Sequence, residues 1–213
     1  MYLFVSNNKG ILIIFSGPSG VGKDSIIKEI LKKRPNFELL ISCTTRAPRT
    51  GEVHGKDYYF LSVKEFQNMI DNDEMLEYAI YCDNFYGTPK TKIENDINNG
   101  KVVILEIEVN GAEKIMKKCL GAVSIFVLPP SMEELENRLI VRGTDEKNII
   151  LRRIKEAEKE IQKAHIYDYV VVNNNIDKCS DGIIKIIDSE SRRALQNINT
   201  IERVLLSGRN NKL

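Results

Sequence analysis

Gly17-Pro18-Ser19-Gly20-Val21-Gly22-Lys23-Asp24-Ser25 sets a lysine directly after a run that opens and closes on glycine. Gly17-x-x-x-x-Gly22-Lys23 is the spacing of a P-loop. In such a loop glycines let the backbone approach phosphate oxygens, and the lysine reaches the groups being transferred. The hydroxyl residue that usually follows the lysine and serves Mg²⁺ is replaced here by Asp24, and the hydroxyl comes one place later, at Ser25. A carboxylate at that place repels nucleoside triphosphate oxygens unless a cation offsets it. The rival reading is a glycine-rich turn that holds nothing.

A second set of residues suits another anion. Arg46 and Arg49 stand three apart around Pro48 and can present two guanidinium forks to one phosphate, with hydroxyl donors available from Tyr58 and Tyr86. The same four residues also suit surface arginines and half-buried tyrosines, and local spacing leaves both readings open. His54 and His165 are expected to be structural or surface residues. Cys43, Cys82, Cys119 and Cys179 are far apart, without a C-x-x-C pair or a histidine at zinc-ligand spacing, which fits a reduced, cytoplasmic setting.

The elements around these residues follow from periodicity. Gly10 to Ser16 is a nearly unbroken apolar run rich in β-branched residues, as in a strand buried on both faces. After the glycines, Ile26, Ile27, Ile30 and Leu31 recur at helical spacing over 23–33 until Pro35 closes the segment. Strand, glycine turn and helix start in that order put backbone N–H groups and a positive dipole end around one anion. Further strands are expected near 102–108, 122–128 and 169–172, alternating with helices near 149–164 and 180–195. This alternation predicts an α/β fold with a parallel sheet flanked by helices.

Two regions break the rhythm. Residues 42–90 are dense in polar and aromatic groups, include a capping box at Ser62 and Glu65, and read as an inserted lobe. Residues 131–160 open on a second capping box, Ser131 with Glu134, and carry Arg138, Arg142, Arg152 and Arg153 on two helices joined at Gly143-Thr144, as a lid would. The tail beyond Ser207 is expected to fray. The 213 residues carry 31 Lys and Arg against 30 Asp and Glu, so global charge points to neither nucleic acid nor membrane. No apolar run reaches the about 20 residues that cross a bilayer, and the first residues lack a basic leader.

Ser42-Cys43-Thr44-Thr45-Arg46-Ala47-Pro48-Arg49-x-Gly51-Glu52-x-x-Gly55-Lys56-Asp57-Tyr58 resembles the monophosphate signature of guanylate kinases. The similarity continues through Leu76-Glu77-Tyr78-Ala79, Tyr86-Gly87-Thr88-Pro89, Ile104 to Ala112, Phe126 to Ser131, Arg142-Gly143-Thr144 and Ala164 to Asn173, and so spans about residues 10–190. The resemblance implies a P-loop nucleoside monophosphate kinase fold, with a five-stranded parallel core sheet, a GMP-binding lobe at 42–90 and a helical lid at 131–160 in one domain over 1–213. It implies transfer of the γ-phosphoryl group of ATP to GMP or dGMP, with Mg²⁺ held mainly through nucleotide phosphates and Ser25 beside it.

On the same resemblance Lys23, Arg46, Arg138, Arg142 and Arg153 are catalytic. Gly17, Pro18, Ser19, Gly20, Val21, Gly22, Lys23, Asp24, Ser25 and Asn173 bind ATP. Ser42, Arg46, Arg49, Tyr58, Glu77, Tyr86, Thr88 and Glu108 bind GMP, Ser42, Glu77 and Thr88 at the guanine edge. Glu108 and Asn110 stand where the family more often has Asp and Gln. The expected partners are ATP and GMP alone, with the chain a monomer or homodimer. Two rivals remain: the Lys-Asp-Ser turn resembles that of ribose 1,5-bisphosphate phosphokinase, and guanylate-kinase-like scaffold domains bind phosphorylated peptides without turnover.

Overall fold

The computed structural model describes residues 2–3, 10–81, 83–141 and 147–209. In chain order the elements are β1 (Tyr2–Leu3), β2 (Ile11–Ser16), α1 (Lys23–Lys33), β3 (Phe37–Leu39), β4 (Cys43–Thr44), β5 (Tyr59–Phe60), α2 (Val63–Asp71), β6 (Met75–Tyr81), β7 (Asn84–Pro89) and α3 (Lys90–Asn98). There follow β8 (Val102–Glu106), α4 (Val109–Lys118), β9 (Cys119–Leu120), β10 (Val123–Leu128), α5 (Met132–Val141), α6 (Lys147–Gln162), β11 (Tyr169–Val172), α7 (Ile176–Glu190) and α8 (Ile198–Arg209).

The core is a five-stranded sheet in the order β11-β10-β2-β8-β3, parallel throughout. Strand β2 is central, and all six of its residues are buried because helices cover both faces; its one polar side chain, Ser16, donates to the Ile107 carbonyl at 2.6 Å. The two-residue period sorts its side chains. Ile11, Ile13 and Phe15 join a cluster with Ile26, Ile27 and Ile30 of α1 and Ile183 and Ile187 of α7, while Leu12 and Ile14 join Ile93 of α3 and Ala112 and Ile115 of α4 on the other face. Each such fully buried side chain contributes about 2 kcal/mol.

Several boundaries differ from the sequence expectation. The strand expected over 102–108 ends at Glu106, and Glu108 instead caps α4. The helices expected at 149–164 and 180–195 run over Lys147–Gln162 and Ile176–Glu190. The fifth core strand, β3, is only three residues long and pairs with Val102–Ile104. Helix α8 occupies part of the stretch expected to fray.

Residues 42–90 build a separate mixed sheet in the order β5-β4-β7-β6, backed by α2. The Ser62–Glu65 capping box starts α2 in both directions, and Phe66 of α2 is buried with Cys43 and Met75. Helices α5 and α6 pack on each other through Leu135, Leu139, Ile150 and Ala157. Ser131 accepts the Glu134 N–H at 3.1 Å at the start of α5. Among the described residues no helix is long and apolar enough to cross a membrane.

Candidate active site

The Gly17–Ser25 loop joins the C-terminal end of β2 to α1, the place where open parallel sheets hold ligands. Gly22 precedes α1 at φ 95° with no side-chain cap, so the first N–H groups of that helix are left for another acceptor. Only glycine fits there, since a Cβ would stand 2.9 Å from Asn173 Nδ2. The Lys23 ammonium is folded over the loop and donates to the Gly17 and Pro18 carbonyls at 2.8 and 3.3 Å.

The outer wall of the loop is tied to distant elements through one carbonyl. Val21 O accepts from Asn173 Nδ2 at 2.8 Å and from Arg138 at 3.3 Å, and Arg138 also bonds Asn173 O and Glu134. Asn173, directly after β11, thus braces the loop. Arg138 is placed against the loop wall rather than over its open mouth. Arg153 lies on α6 two turns before Glu160, hence on the same side of that helix. Arg142 lies outside the described residues, as does the Gly143-Thr144 joint.

A cavity of about 360 Å³ opens between the loop and the lobe, and it brings together Lys23, Asp24, Ser42, Asp57, Tyr58, Glu106, Glu108 and Glu160. Lys23 is the one basic side chain on this lining. Burial pushes Glu106 up to about 7, against the pull of Lys23 and with the hydrogen-bonded Asp24 carboxyl adding to the rise. Burial likewise pushes Glu160 up to about 7, partly offset by Lys23 and by the Ser19 N–H that it accepts. Sequence reasoning missed both Glu106 and Glu160. Glu106 had a readable signal, a carboxylate ending the apolar run of a central strand, whereas Glu160 sits within a charged helical face and had none. Ser25 is exposed on the first turn of α1, beside Asp24.

The lobe gathers Arg46, Arg49, Tyr58 and Tyr86 in one group and Glu77 and Thr88 in another. Arg46 donates to Glu52 at 2.9 Å and to the Ala47 carbonyl at 2.7 Å, and it lies over the rings of Tyr58 and Phe60 at 5.6 and 5.8 Å. Glu52, Tyr86 and their charge hold the Arg46 guanidinium firmly protonated. The other Glu52 oxygen takes the Arg49 N–H at 2.7 Å, so one carboxylate orders both arginine positions. Tyr58 and Tyr86 meet edge to face at 6.1 Å.

In the second group Thr88 donates to Glu77 at 3.1 Å, and Glu77 is only 8% exposed. Its carboxyl is held above the usual carboxylate range by burial, with Thr88, Lys114 and Lys118 acting the other way. His54 and His165 are exposed; His54 accepts the Phe60 N–H, and His165 pairs with the Gln162 carbonyl. A larger hollow of about 810 Å³ lies behind the lobe sheet, lined by Cys43, Tyr59, Met69 and Asp96 among others, and includes no loop residue.

The sequence profile of the guanylate kinase family matches residues 9–190. The chain belongs to the guanylate kinase family. It is 47% identical over 185 residues to the guanylate kinase of Lactococcus lactis, covering 87% of this chain and 90% of that protein. It is 46% identical over 193 residues to the guanylate kinase of Clostridioides difficile, covering 91% and 94%. The crystal structure of guanylate kinase from Anaplasma phagocytophilum superposes with a TM-score of 0.74 at 34% identity, over 93% of this chain and 95% of that one. The guanylate kinase match spans the loop, the lobe, α5 and α6 together.

Proposed function

We propose that the protein transfers the γ-phosphoryl group of ATP to GMP, giving ADP and GDP. The observation that carries this is the pairing, in one chain, of a lysine-bearing phosphate loop with a lobe holding Glu77 beside Thr88 and Arg46 beside Tyr58 and Tyr86. A carboxylate can accept from both N1–H and the 2-amino group of guanine, a pair that adenine does not offer. A ribose bisphosphate acceptor has no use for such a carboxylate. A scaffold domain has none for Lys23.

In this reading the loop amides from Gly17 to Lys23, the Lys23 ammonium and Asn173 hold ATP. Arg46, Arg49, Tyr58 and Tyr86 hold the GMP phosphate, and Ser42, Glu77, Thr88 and Glu108 read the base. A GMP phosphate oxygen attacks Pγ in line while the bond from Pγ to the β–γ bridging oxygen breaks and ADP leaves. Little covalent help is needed beyond alignment and positive charge on the transferring oxygens. Residues 42–90 act as the GMP lobe and 131–160 as a lid, whose Arg138, Arg142 and Arg153 close over the phosphates and keep water out.

Mg²⁺ fits the donor set at the loop. Ser25, Asp24 and Glu106 offer hard oxygens, yet among the described residues no three His, Cys, Asp or Glu side chains form a cage for an ion. The remaining ligands are then phosphate oxygens and water, and the bound ion would supply charge neutralisation on the nucleotide. The cavity favours the same reading, because Asp24, Asp57, Glu106, Glu108 and Glu160 against Lys23 repel a bare triphosphate.

The test is release of ADP from MgATP with and without GMP. Release that depends on GMP, and that Lys23→Ala abolishes, is expected. Tight GMP binding without turnover would instead assign the chain to the scaffold class, and preference for ribose 1,5-bisphosphate would overturn the acceptor.

A further inference from the structure

Strand β6 is irregular at one place. Met75 pairs with Pro89 and Glu77 with Thr88, so two steps along β6 match one along β7 and Leu76 is the extra residue of a bulge. Its side chain is fully buried against α4, in the cluster containing Ala112 and Ile115. Its carbonyl accepts from Lys118 Nζ, at the end of α4, at 2.8 Å. The next residue is Glu77. The first turn of α4 lies against that carboxylate, since a Cβ on Gly111 would be 3.6 Å from Glu77 Oε2.

We propose that Lys118 is a positioning residue for base recognition: by bonding the carbonyl of the Leu76 bulge it sets the direction of Glu77, and with Lys114 one turn earlier it lays positive charge beside that carboxylate. The inference rests on the guanine-reading role of Glu77 in the preceding section. A bulge re-aims the side chain beside it, and a bulge carbonyl in a buried setting needs a donor that the strand partner does not supply. Lys118 reaches it from a helix anchored in the main core, which ties the lobe strand to the core at this point. The charged groups facing Glu77 are Lys114 and Lys118 on α4 and Glu108 just before it, with the Thr88 hydroxyl from β7. The two lysines favour the anionic form, which alone can accept through both oxygens, and Glu108 opposes them.

The experiment compares Lys118→Met, Lys118→Arg and Lys114→Gln with wild type, measuring KM for GMP, KM for ATP, kcat and the pH profile of kcat/KM for GMP. For Lys118→Met the expected result is a KM for GMP raised about fivefold, the size of one lost part-buried hydrogen bond to a charged donor. The acid limb should move to higher pH, and KM for ATP and kcat should stay unchanged. Lys118→Arg, which keeps donor and charge, should restore the GMP constants. Lys114→Gln, exposed and without a role in folding, should move the acid limb alone. Constants for GMP that match wild type in Lys118→Met, or GMP and ATP constants that worsen together in it and are not restored by Lys118→Arg, overturn the proposal. A wild type without GMP turnover overturns the function and this inference together, whereas normal wild-type turnover with unaltered variants overturns this inference alone.

Discussion

Glu77→Gln separates recognition from stability. On the proposed role both carboxylate oxygens accept from bound guanine, and the side chain is 8% exposed, so water does not replace a lost bond. The amide turns one acceptor into a donor, which then points at a guanine N–H, and it removes the charge from the other bond. One charge-assisted bond lost and one weakened amount to about 3–5 kcal/mol, or about 10²–10⁴-fold in kcat/KM for GMP. KM for ATP should stay within about twofold, since Glu77 belongs to the lobe and touches no loop residue. The stability change runs the other way. Burial holds the folded carboxyl above its unfolded pKa, so ionisation costs stability above the folded pKa, and that cost vanishes below the unfolded one. Glu77→Gln should therefore match or exceed wild type in Tm at pH 7 and 8. The wild type should also lose kcat/KM for GMP as pH falls through the raised pKa of Glu77, a limb the variant lacks. The assay is coupled ADP release at varied GMP, ATP and pH, with thermal scans on the same samples. A GMP effect below threefold, or one that ATP shares, refutes the guanine-reading role.

Other residues give independent tests. Gly22→Ala forces a side chain into a left-handed backbone and against Asn173, and should lower Tm by about 2–8 °C and raise KM for ATP, read by thermal scans and kinetics. Glu52→Gln weakens the bond that orients Arg46 and should raise KM for GMP about tenfold, without effect on ATP; tighter GMP binding would mean that Glu52 competes with the substrate phosphate instead of preparing its site. Burial pushes Glu160 up to about 7 when folded, against an ordinary value of 4.5, so the folded state binds the extra proton between those values and stability rises as pH falls from 8 toward 6. Glu160→Gln should be more stable than wild type at pH 8, with the difference shrinking as pH falls and gone only below 4.5, measured by thermal scans of ligand-free protein.

The comparison of sequence with structure divides along the range of the interactions. The β2–loop–α1 unit, the Ser62–Glu65 box and the apolar runs of β8, β10 and β11 are legible because each is set by periodicity or by hydrogen bonds between near neighbours. Strand β3 escapes because three residues carry no period. Helix boundaries shift by a few residues because caps compete with a continuing pattern.

What only the tertiary structure decides are the meetings between distant positions. Asn173 reaches Val21 across 152 residues, and Lys118 reaches the Leu76 carbonyl across 42. Glu160 closes on Lys23 and Ser19 from α6. None of these has a local signature, since a lysine on a polar helix face reads the same whether or not a bulge lies beneath it. The glycine-rich loop and the strand and helix that flank it are thus written in the sequence. The surroundings of the Glu77 carboxylate, and the proton affinity of the acids around Lys23, come from burial and from contacts that exist only once the chain has folded.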